Sequence, residues 1–125
     1  MPPETQALLF PPKEQPRYVA LTPTLDNLQT IVEGDIELLT IPEEPTAIAI
    51  VNTNAKLWNL PSNHYASRRL YTYDELQGPV VILGEPTLTD DAISFKPVPP
   101  LLAAYYIGRC NVEAEKDPPS AAGGG

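Results

Sequence analysis

Apolar residues fall into short runs separated by proline, glycine and asparagine, and their period alternates between that of a strand and that of a helix. Tyr18, Val19, Ala20 and Leu21 are strand formers. Thr22 and Pro23 stop the strand, and Thr24 carries the hydroxyl that an N-cap uses. Asp26 sits near the positive end of the helix dipole, and Leu25, Leu28, Ile31 and Val32 recur at helical spacing. Gly34 follows where a helix end takes a residue tolerant of left-handed backbone, so the spacing predicts a helix over Leu25–Val32.

Asp35–Ile41 then reads as a strand. Ile36 and Leu38 share one face, with Glu37, Leu39 and Ile41 on the other. Pro42, Glu43, Glu44 and Pro45 form a turn into a second strand, Thr46–Asn52. Its continuous run from Ala47 to Val51 predicts a central strand covered on both faces, and the short turn makes the two strands antiparallel neighbours. Asn52, Thr53 and Asn54 read as a turn, Lys56–Leu60 as a short return strand with Leu57 inward, and Asn63 as the cap of a short helix from His64 to Leu70. Val80–Leu83 is a third buried strand, closed by Gly84. Thr87–Asp91 reads as a loop or short capped turn, and Ile93–Val98 as an edge strand that tolerates Pro97. Leu101–Ile107 reads as a helix turn or a strand, docked on the core in either case.

Composition changes this picture at the ends. Proline supplies 16 of the 125 residues, which commits much of the chain to loops and extended segments. Residues 1–16 read as a proline-rich extended arm with Leu8, Leu9 and Phe10 able to pack on the domain. Residues 113–125 turn charged and then rich in Pro, Ser, Ala and Gly, and are expected to be disordered. Between them, 17–112 reads as a single α+β domain: a small, mostly antiparallel sheet of four or five strands with the Leu25–Val32 helix packed on a face.

The net charge of -8 disfavours direct binding to nucleic acid or to anionic membranes. No apolar run approaches the ~20 residues of a bilayer span, and the prolines and polar residues before Phe10 do not form a leader, so a cytoplasmic protein is expected. Cys110 is the single cysteine, so no intrachain disulfide forms, and it reads as an ordinary free thiol.

Leu25, Leu28, Gln29, Ile31 and Val32 leading to Gly34, Ile36 and Glu37 carry a resemblance to a known family. It continues through Val51, Asn52, Lys56, Leu57, Leu60, Pro61, Asn63 and Ala66, and ends at Gly78, Val80, Val81, Ile82 and Gly84. In these residues the chain resembles the family named domain of unknown function 3846, encoded mainly by phages, plasmids and other mobile elements. It departs from the family pattern at Thr53, where an acidic residue is usual, and at Ala55, where glycine is. The resemblance implies a mobile-element origin and a role in conflict between such elements and their hosts. It brings no catalytic residues.

Catalytic chemistry is not written in the residues. One histidine, His64, and one remote cysteine do not make a zinc site, and no phosphate-binding glycine loop or nucleophile elbow is present. Glu43 with Glu44, and Asp90 with Asp91, are adjacent carboxylates of the kind that polar turns leave solvated. A non-catalytic protein without cofactor is expected. Against this background, Lys56, Trp58, His64, Tyr65, Arg68, Arg69, Tyr71 and Tyr73 concentrate positive charge and rings in an acidic chain. Arginine forks hold phosphate and ring faces stack on bases. Lys56, Trp58, His64, Arg68 and Arg69 are therefore the expected ligand-binding residues for a nucleotide-like molecule, with amides at the start of the His64 helix adding an anion site. The plainer reading makes Trp58 and Tyr65 edges of the core, and the arginines partners of nearby carboxylates. The function expected first is that of a mobile-element accessory protein sequestering such a ligand. The alternative is an acidic interaction module that occupies a host nucleic-acid-binding protein. The oligomeric state is not legible.

Overall fold

The computed structural model describes residues 4–70, 75–88 and 93–116, with side chains as far as Ala114. The elements run β1 (Thr5–Phe10), β2 (Arg17–Leu21), α1 (Leu25–Val32), β3 (Ile36–Ile41), β4 (Glu44–Asn52), α2 (His64–Leu70), β5 (Val80–Gly84), β6 (Pro86–Leu88), β7 (Ile93–Phe95) and α3 (Pro100–Lys116). Five strands build one sheet in the order β2-β1-β5-β4-β3, and every pairing in it is antiparallel. This is the α+β class that the pattern predicts.

Strand alternation sorts the core into two layers. Ile48 and Ile50 of β4 and Val81 and Leu83 of β5 meet Leu28 and Val32 of α1 on one face. Ala47, Ala49 and Val51 of β4 and Val80 and Ile82 of β5 turn the other way, toward Ala66 and Leu70 of α2 and Ala103, Tyr106 and Cys110 of α3. Helices therefore cover both faces, which is why β4 and β5 read as unbroken apolar runs rather than alternating ones. Thr24 caps α1 as expected, its hydroxyl accepting from Asn27 N–H at 3.2 Å. β3 and β4 form the predicted hairpin, with a register shift between Thr40 and Ile41.

Several elements differ from expectation. Within 1–16, read as an arm, Thr5–Phe10 is extended but forms β1, hydrogen-bonded to β2 on one side and β5 on the other. Ala7 faces the α1 layer and Leu8 and Phe10 the opposite layer, so this segment buries apolar residues on both faces like any interior strand. Residues 56–60 are not a return strand: Trp58 N–H donates to Asn54 O at 2.9 Å and Leu60 N–H to Ala55 O at 2.9 Å, and Leu57 is 79% exposed rather than inward. Ile93–Phe95 pairs with Pro86–Leu88 as a separate two-stranded ribbon, not with the main sheet. Thr87 and Leu88 belong to that ribbon, and 89–92 lie outside the described residues. The segment left open between helix turn and strand begins a 17-residue helix, which continues through 113–116 because Glu113 is anchored to α2.

The left-handed residue that ends α1 is Glu33, with φ 70°, rather than Gly34. Gly34 is needed for space: a Cβ there would lie 2.7 Å from Asn52 Nδ2 and 2.8 Å from Trp58 Cζ3.

Candidate functional site

Asn52, at the end of β4, is buried and organises the loop that follows. Its Nδ2 donates to Val32 O at 3.1 Å and its Oδ1 accepts from Asn54 N–H at 2.6 Å. This ties the 53–59 turns to the C-terminal end of α1 and lays Trp58 against Gly34, with the indole 52% exposed. Next along the chain, Asn63 is fully buried and caps α2, its Oδ1 accepting from Ala66 N–H at 3.2 Å. Its Nδ2 donates to both Phe10 O and Gly78 O at 2.8 Å.

The five residues expected to bind a ligand are not gathered around one cavity. Arg68 Nη1 lies 2.9 Å from Glu113 Oε2, and Arg69 Nε lies 3.0 Å from Glu113 Oε1. The second contact is an ion pair whose N–H is not aimed at the oxygen as a hydrogen bond would be. Both arginines therefore clamp α2 to α3 through one carboxylate. Lys56 stands on the wall of a different cleft, Trp58 covers Gly34, and His64 is exposed at the start of α2. Ala66 N–H, which an anion at that end would use, already serves Asn63. Tyr65 is packed against the α2–α3 layer of the core, and Tyr71 and Tyr73 lie outside the described residues. Sequence proximity misled here because a seven-residue helix points its cations toward the neighbouring helix, whose acidic partner lies 45 residues along the chain.

Cys110 is buried between α3 and the sheet, and burial pushes its thiol up to about 12. The charge of Glu113 adds to this and that of Arg69 opposes it. Such a thiol is protonated and unreactive at neutral pH.

The cleft that holds Lys56 has a volume of about 410 Å³ and lies beside β3 on the face opposite α1. Leu39, Val51, Ala55 and Leu76 give it apolar walls, and Glu37, Lys56 and Glu75 bring charge to it. A smaller cavity of about 320 Å³ near the β3–β4 turn is bordered by Glu43, Glu44, Arg69 and Tyr105. Among the described residues β3 pairs only with β4, so its other side is an open sheet edge. Glu33, Asp35, Glu37 and Glu43 are exposed around it, and Glu44 is partly so. The sequence holds a signal for this region: from Tyr18 to Ala55 there are six carboxylates (Asp26, Glu33, Asp35, Glu37, Glu43, Glu44) and no lysine or arginine.

Fold and site together define a compact α+β domain with one acidic open sheet edge and an adjoining cleft. Among the described residues no three His, Cys, Asp or Glu side chains gather as a metal would need, and no helix is long and apolar enough to cross a membrane. The chain matches the family described as Domain of unknown function (DUF3846) over residues 5–109, and it belongs to that family. Neither the curated proteins nor the solved structures give a match.

Proposed function

We propose that this protein is a non-catalytic interaction module of a mobile element that engages a basic protein through the acidic edge formed by β3. One observation carries the reading: β3 and its flanks bring carboxylates, and no cation, to an unpaired side of the sheet. Arg68 and Arg69 are both held by Glu113, and of the two only Arg69 borders the small cavity beside Glu43 and Glu44. Exposed Leu57 and Trp58 follow directly on Lys56 of the adjoining cleft wall, and an aromatic residue of this kind is a common anchor in protein interfaces. A cytoplasmic nucleic-acid-binding host protein is the partner whose charge fits, and occupying it would serve counter-defence. The phage or plasmid origin rests on the family resemblance.

Capture of partners from host lysate tests this reading. The wild-type chain and an E37K/E43K/E44K variant would be compared at ~0.1 M and ~1 M salt, where the screening length falls from about 10 Å to about 3 Å. A basic partner retained only by wild type at low salt is the expected result. Equal capture by both chains, or capture unchanged at high salt, contradicts it.

A second reading keeps a small nucleotide-like ligand, and the cleft favours it by combining Lys56 with apolar walls in a volume typical of small-molecule sites. Glu37 and Glu75 at the same cleft oppose a phosphate-rich ligand. Calorimetry with nucleoside monophosphates and cyclic oligonucleotides decides it: saturable heat abolished by Lys56→Ala supports the cleft as their site, and no heat at millimolar concentration removes the reading.

A further inference from the structure

The open side of β3 also fixes how a partner would bind. Thr53 N–H donates to Asp35 O at 2.9 Å, and β3 and β4 pair Glu37 with Val51 and Leu39 with Ala49. In an antiparallel ladder directly opposed residues alternate between bonded and unbonded pairs. The bonded pairs are therefore 35–53, 37–51 and 39–49. Ile36, Leu38 and Thr40 then point their backbone N–H and C=O groups away from β4, toward the open side. Side-chain alternation settles the other direction. Ile36 and Leu38 lean on the α1 layer, whereas Glu37 and Leu39 line the cleft on the opposite face.

We propose that an extended, basic segment of a partner protein adds to β3 as a sixth strand and seats a lysine or arginine side chain in the adjoining cleft. This rests on the acidic-edge reading above and names its binding mode. Strand addition draws affinity from main-chain hydrogen bonds and specificity from pockets that take alternate side chains. Both parts are here. Residues 36, 38 and 40 supply the hydrogen-bonding row. Leu39, Val51 and Leu76 provide apolar surface for the stem of a long side chain, and Glu37 and Glu75 provide negative charge for its head.

Charge selects among occupants of the edge. A second copy of this chain would bring Glu37 and its neighbours against their own like, which is how natural edges resist self-pairing. A basic strand meets one like charge at the cleft, Lys56, against the two carboxylates of Glu37 and Glu75. The other edge, β2, has Arg17 at its start and borders neither cleft described above.

The test uses a short synthetic peptide of alternating lysine and valine, followed by fluorescence anisotropy and amide NMR on the intact chain. Saturable binding at low salt is expected, with the largest amide shifts at Ile36, Leu38 and Thr40. The same peptide N-methylated at every amide keeps its charge and loses its donors, and should bind at least roughly tenfold more weakly. Leu38→Pro removes an outward N–H, leaves the 37–51 and 39–49 bonds in place, and should weaken the parent peptide by a similar factor. Equal binding of both peptides, or shifts confined to other strands, overturns strand addition while sparing the acidic-edge reading. No binding of either peptide to the wild-type chain at low salt overturns both. A dimer of the free protein that Leu38→Pro dissociates shows that a second copy occupies the edge, and overturns the choice of partner.

Discussion

Asn63 holds three backbone groups at once: Phe10 O and Gly78 O accept from its amide, and Ala66 N–H donates to its carbonyl oxygen. These groups link β1, the approach to β5 and the first turn of α2. Asn63→Ala leaves them without partners in a buried site, so chemical denaturation should show a loss of about 3 kcal/mol. Asn52 has the matching role between α1 and the 53–59 turns. Gly34→Ala drives a methyl into the Asn52 amide and the Trp58 ring, and should cost about 1–3 kcal/mol with a change in indole fluorescence. Cys110 gives a pH dependence. Its folded value of about 12 lies above the 9.0 of a free thiol, so the unfolded chain releases this proton first as pH rises. Stability in denaturant unfolding should therefore fall more steeply with rising pH across that window than in Cys110→Ala. In the folded protein at neutral pH, a thiol reagent should label Cys110 no faster than global unfolding exposes it.

At the scale of elements, α2 and α3 are joined by polar as well as apolar contacts. Glu113 is 16% exposed and Arg69 14%, whereas Arg68 is 58% exposed. Removing the shared carboxylate leaves Arg69 poorly solvated and unpaired. Glu113→Gln should therefore cost about 2 kcal/mol, below the penalty for breaking a fully buried pair. Arg68→Ala should cost under about 1 kcal/mol, since that half of the clamp is solvated. Thermal unfolding of the two variants measures the difference. A larger loss from Arg68→Ala would show that the exposed contact dominates the clamp. The helix α3 is held to α2 near its C-terminal end by this joint.

For the whole molecule, the division of charge follows from the topology. Placing the β3–β4 hairpin at the end of the sheet sets a cation-free stretch of chain along an open edge, while two of the eight lysine and arginine residues are drawn onto Glu113. Binding through such an edge must weaken with salt, and titrating a basic partner across ionic strength reads this directly. Interior strands are protected from the same exposure: β4 and β5 have neighbours on both sides and helices on both faces, so charge reversal on β3 should leave the folded core unchanged by circular dichroism.

Local chemistry was written in the sequence wherever a residue's neighbours along the chain decide its conformation. The Thr24 cap, the Leu25–Val32 stripe, the β3–β4 turn, the apolar runs of β4 and β5 and the Asn63 cap could all be read there. Each depends on propensity, period or a bond within a few residues. Tertiary structure decided the rest. Thr5–Phe10 became an interior strand because β2 and β5 flank it, and Arg68 and Arg69, expected to face a ligand, instead meet Glu113 across 45 and 44 positions of the chain. The open edge of β3 belongs to the same class, since which strand stands last in a sheet is set by pairings between distant segments and not by its own residues.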